Sequence, residues 1–120
     1  MRQPLVDARY FPKPQRNRAA GNRPADIRHP GLCHLFIHAT ESTVRPDLAE
    51  PCAEHISSAI PGASHINHMP SHTWNEVGRW NDSVRANTVA WHSDQKAAIG
   101  EGVAIYPTHN LTMLLFAASY

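Results

Sequence analysis

"HINHMPSHTWNEVGRWNDSVRANTVA", residues 65–90, decides the fold. His65, His68 and His72 are spaced i, i+3 and i+7, which places them on one face of an α-helix. Pro70 is tolerable near a helix start and awkward inside one. Gly78 is suited to ending a first helix, after which "WNDSVRANTVAWHSD" runs as a second, with Val84 and Val89 among its apolar positions. The stretch has an earlier counterpart. His34 and His38 recur 34 residues later as His68 and His72, while Glu41 maps to Asn75 and Ala49 to Ser83.

Working outward, "PGLCHLFIHATES" reads as the first helix of an earlier unit and "RPDLAEPCAEHISSAI" as its second, with Pro46 at the start. Pro51 should kink that second helix or delay its beginning. "IPGAS", residues 60–64, closes the unit. "YPTHNLTMLLFAASY" opens a third unit at Pro107 and is apolar nearly all round, as a terminal helix wanting a partner would be. The expected fold is all-α, an antiparallel helix-pair array of about two and a half units. Repeat one covers about 30–63, repeat two about 64–97, and a partial third about 102–120.

The period of 34 residues, with Trp74, Gly78 and Trp80 in "VGRWNDSVRANTVA", resembles the tetratricopeptide repeat and its "xxGxYxxAxxxYxxA" pattern. More narrowly, "HPGLCHLFIHATE", "GASHINHMPSHTWNEVGRWNDSVRAN" and "YPTHN" resemble a histidine-rich bacterial and fungal branch of that superfamily, whose function is unknown. The resemblance covers residues 29–120 and implies a short version or fragment of longer proteins. It also implies that certain first-helix positions look into a concave groove. In unit one these are His34, His38 and Glu41; in unit two they are His65, His68, His72 and Asn75.

Neighbouring helix axes pack about 8–10 Å apart, so imidazoles from adjacent first helices are expected to meet around an ion, with His109 closing the site. Imidazole suits zinc, copper, nickel or iron. The donor set, with no nearby cysteine pair, does not suit a closed structural zinc site. Two groups of three ligands would hold one ion with open positions or two side by side. Such a metal would serve a hydrolase or an oxidase, with Glu41 as the nearest catalytic base. Because metal needs neutral imidazole, binding is expected to weaken steeply from about pH 7 to 5. The alternative is a non-enzymatic interaction module whose groove takes a peptide or protein partner.

Other residues read more plainly. His55 and His92 lie on second helices, away from the groove, and His29 is placed to cap a helix start. Cys33 and Cys52 are expected at the helix–helix seam, Trp74, Trp80 and Trp91 in core or seam, and Arg79 and Arg85 in solvent. The chain has no glycine-rich phosphate loop, no G-x-S-x-G and no H-E-x-x-H.

A hydrophobic share of 42% with 18% charged residues is ordinary for a globular chain. There is no apolar run long enough for a bilayer and no signal-like start. Two cysteines make no disulfide framework, which points to a reducing, cytoplasmic setting. The net charge of +1 hides an uneven distribution: residues 1–28 carry seven basic and two acidic groups, and residues 29–120 carry four and eight. Residues 1–28 also lack any period and read as a basic, proline-rich disordered arm. The arm lacks a partner fold, so nucleic-acid binding is not expected, nor is a membrane partner. Self-association through the last helix is.

Overall fold

The computed structural model describes residues 28–120, so the expected basic arm falls outside the described residues except for Arg28. Six α-helices follow in order: α1 (Pro30–Glu41), α2 (Glu50–Ile56), α3 (Ser64–His68), α4 (Pro70–Glu76), α5 (Trp80–Ala98) and α6 (Pro107–Ala118). A short 3-10 turn, Pro46–Ala49, leads into α2. Among the described residues there is no strand, in line with the all-α expectation. Among the described residues no helix is long and apolar enough to cross a membrane.

Local chemistry sets the boundaries. The N–H of Gly31 donates to His29 Nδ1 at 3.2 Å, and Pro30 takes the first turn, where a missing N–H costs nothing. Pro51 delays its helix rather than kinking it: α2 begins at Glu50, which puts the proline in the first turn. The helix stops at Ile56, short of the expected Ile60. Gly78 sits at φ +77°, the left-handed conformation that ends α4. There the N–H of Arg79 bonds the carbonyl of Trp74 at 2.7 Å and that of Gly78 bonds Asn75 at 3.3 Å, the paired closure of a Schellman cap.

Pro70 divides what the sequence presents as one helix. Having no N–H, it cannot join the ladder, yet Met69 keeps right-handed helical angles (φ −50°, ψ −39°). The Met69 N–H still reaches His65 O at 3.2 Å, and the His72 N–H reaches Met69 O at 3.2 Å. The hydrogen bonding breaks while the helical phase continues, so His65, His68 and His72 stay on one face.

The helices pack in sequence. α1 lies against α2 and α4, α2 against α4, both α3 and α4 against α5, and α6 against α5 and α3. The core joins Cys33, Ile37, Ala49, Cys52, Ala53, Ile56, Met69, Trp74 and Ala86, flanked by Phe36, Ile66 and Val77. Burying side chains as large as Ile37 and Ile56 stabilises the fold by about 1.5–3 kcal/mol each. Both cysteines are buried thiols. Burial, reinforced by a hydrogen bond with Cys52, pushes the Cys33 thiol up to about 12.

Three readings of the sequence are corrected. Val89 is 48% exposed, and the buried face of α5 is instead small and polar: Ser83, Ala86, Asn87, Ala90, Ser93 and Asp94. Trp91 is exposed, whereas Trp74 is buried and Trp80 stacks on Tyr120 with ring centroids 4.2 Å apart. Arg79 is not simply solvated. It pairs with Asp82 at 2.6 Å, Glu54 at 2.7 Å and Glu50 at 3.1 Å, and lies 5.1 Å over the Trp74 ring. Arg85 also pairs with Asp82. The terminal helix keeps Leu111, Leu115 and Phe116 exposed.

Candidate metal centre

On α1 the core-facing residues are Cys33, Ile37 and Thr40. His34, His38 and Glu41 each follow one of these by one position, about 100° further round the helix. This offset turns a second stripe away from the core and toward α3 and α4. His65, His68 and His72 meet it there, and α6 adds His109. The structure thus brings together all six histidines singled out as ligands, with Glu41 among them.

Five of the rings form a closed circuit. Successive centroids are 4.9 Å apart for His34–His38, 5.0 Å for His38–His72, 4.8 Å for His72–His68, 5.2 Å for His68–His65 and 5.1 Å for His65–His34. His109 lies on the circuit 4.7 Å from His68 and 5.5 Å from His72. Among the described residues the possible ligand atoms gather in threes, each set within 4.8 Å: His34, His38, His65; His68, His72, His109; and His38, Glu41, His72.

Two nitrogen pairs define the spacing. His68 Nε2 and His72 Nε2 are 3.2 Å apart, and His34 Nε2 and His65 Nε2 are 3.3 Å apart. Two imidazole nitrogens bound to one tetrahedral zinc at about 2.0–2.1 Å stand roughly 3.3–3.4 Å apart.

Surrounding groups fix the tautomers. The Nδ2 of Asn87 donates to Ser83 O at 3.0 Å, which turns its Oδ1 toward His68 Nδ1 at 3.3 Å. Ser71 Oγ also donates to that Oδ1. His68 therefore carries its proton on Nδ1 and presents a lone pair at Nε2. One oxygen of Glu41 meets His72 Nδ1 at 2.5 Å and the other meets His38 Nδ1 at 2.8 Å. A carboxylate only accepts, so these rings too are protonated at Nδ1. The lone pairs of His68 and His72 consequently face each other.

Burial favours the neutral form of four of the rings. His68, fully buried, is pushed down to about 2 by desolvation and then by His72, His109 and His65. His65 is pushed down to about 4, first by burial and then by His34 and other histidines. His34 is lowered by burial and by His38. His72 is also lowered, chiefly by burial, although Glu41 pulls the other way. Neutral His72 meets Glu41 through an Nδ1–H hydrogen bond, not an ion pair. His65 Nδ1 is buried with no hydrogen-bond partner, and its ring lies 5.4 Å from Tyr106.

The remaining candidates stand apart. His55 Nε2 lies 2.6 Å from the carbonyl of Arg28, His92 is exposed beside Trp91, and His29 serves as the cap of α1. Asn75, assigned to the groove, is buried, and its Oδ1 has no hydrogen-bond partner among the described residues. The sequence reading missed Asn87 and Tyr106. A polar residue at the i, i+4 spacing of Ser83 and Asn87, inside an otherwise small-residue helix face, was the available signal for the first. Tyr106 reaches His65 from a left-handed backbone (φ 56°) that nothing in its side chain announces.

No family model, curated protein or solved structure matches the chain.

Proposed function

We propose that this chain is a tetratricopeptide-like helical array that binds a transition metal ion, such as zinc, copper or iron, in its histidine-lined groove. One observation carries the reading. The Nε2 atoms of His68 and His72 face each other at 3.2 Å while each ring's Nδ1 proton is committed elsewhere, to Asn87 and to Glu41. Two lone pairs at that separation repel, and a shared cation turns the repulsion into two bonds. Outer groups that orient ligand histidines in this way are the usual companions of a metal site. The repeat reading draws support from the order of packing, in which α1 lies beside α4 and His38 sits 5.0 Å from His72, its counterpart 34 residues on.

The test is metal analysis of protein purified without a histidine tag, followed by thermal melts with added zinc at pH 7.5. Metal that binds only the folded array raises the melting temperature. Replacing His72 with Ala should remove most of that gain, and replacing His92 should leave it intact. An unchanged melt would overturn the metal reading in favour of a peptide-binding groove.

A further inference from the structure

We infer that the histidine ring holds two ions side by side, one bound by His34, His38 and His65 and the other by His68, His72 and His109, and that Glu41 is the positioning residue shared by both. This rests on the metal reading above and specifies its ligand class, divalent first-row cations. Both edges with metal-ligand spacing, His34–His65 and His68–His72, are built from Nε2 atoms, and they have no ring in common. His38 completes the first set of three and His109 the second. A ring gives one ion only one nitrogen, so a single ion would leave one of these edges as facing nitrogens without a cation.

Glu41 is central to the arrangement. Its two oxygens divide between the sets, Oε1 on His38 Nδ1 at 2.8 Å and Oε2 on His72 Nδ1 at 2.5 Å. With both Nδ1 positions held as donors, the Nε2 of each ring is free for its own ion. The carboxylate therefore acts through imidazoles and orients one ligand of each ion. This differs from the catalytic base that the sequence suggested. Three protein ligands leave each ion an open position for water or a small anion. One carboxylate leaves two dications under-neutralised, so the second ion should bind more weakly than the first.

The experiment is zinc titration of the full, tag-free chain by calorimetry at pH 7.5, with bound metal counted after gel filtration and cobalt(II) spectra recorded in parallel. Two ions per chain, bound in two steps, are expected. His34→Ala and His109→Ala should each leave one ion, with different residual cobalt spectra. Glu41→Ala should weaken both steps by about 10–100-fold, while Glu41→Gln, which keeps one accepting oxygen, should weaken one step more than the other. Metal-free melts of the Glu41 variants identify any general loss of folding, and the cobalt bands report ring orientation independently of it. A stoichiometry of one overturns the two-ion inference and leaves the metal reading standing; no bound metal overturns both. Removal of the same ion by His34→Ala and His109→Ala overturns the partition. Two ions with unaltered affinities in Glu41→Ala overturn the shared positioning role.

Discussion

His68 shows what enclosing an imidazole does to proton linkage. Its folded value is about 2 and that of His65 about 4, both below the ordinary 6.5. The unfolded chain therefore takes up more protons across that interval. The sign follows: the contribution to stability is fully present above pH 6.5 and is lost as pH falls from there toward 4 for His65, and lower still for His68. Each group adds up to about 1.4 kcal/mol per pH unit to the slope. His34, His38, His72, His109, Glu41 and Tyr106 surround these two rings and shape the curve. Denaturant midpoints of chelator-treated protein at pH 7.5, 6 and 5 should fall in that order, and a flat series would contradict the burial. The same shifts point to a shallower loss of metal than the steep fall expected from pH 7 to 5. Three ordinary imidazoles on one ion would cost roughly fiftyfold in affinity between pH 7.5 and 6. With His65 and His68 held neutral and His34 and His72 lowered by burial in the same direction, a zinc titration should show a smaller loss than that. Asn87→Ala should cost about 1–3 kcal/mol in the metal-free protein by leaving buried partners unpaired, seen as a lower denaturant midpoint.

At the scale of elements, Gly78 isolates the energetic cost of a turn. A Cβ there would meet nothing within 4 Å, so Gly78→Ala should destabilise only through its left-handed backbone, by about 1–2 kcal/mol in urea unfolding. Gly78→Asn should cost less. This cap was legible because glycine before an aromatic is local chemistry, as were the proline-led starts of α1 and α6. The histidine faces were legible too, since spacing alone puts His34 with His38 and His65 with His68 and His72. What the sequence could not reveal depends on approach between elements. Val89 looks like core by type, yet α5 turns Ser83, Ala86, Ala90 and Ser93 inward because small side chains fit against three neighbouring helices. Arg79 looks solvated until α2 brings Glu50 and Glu54 beside it. Glu41 was visible as a carboxylate near the histidines, but its division between two rings exists only once α1 lies against α4.

Across the whole molecule, scaffold and site occupy different sides of the same helices. The apolar core runs through Cys33, Ile37, Ile56, Met69 and Trp74, and none of these is a candidate ligand. Chelator-treated protein should accordingly keep its helical circular dichroism, and collapse of that signal would show that metal is needed for folding. The terminal helix is less secure, with Leu115 64% exposed and Phe116 46% exposed. Its amide hydrogens should exchange faster than those of α1 and α4. Because His109 rides on α6, zinc should slow that exchange, and His109→Ala should abolish the slowing. The interruption at Pro70 bears on all of this. A helix carries stiffness through its hydrogen-bond ladder, and here the i→i−4 ladder is interrupted between α3 and α4 while the winding is kept. The segment behaves as a rod with a joint, so the two sides of the histidine face can tilt by a small angle without breaking another bond. For the proposed ions, the spacing between the histidine nitrogens is then adjustable, and discrimination among them should fall to donor chemistry more than to radius.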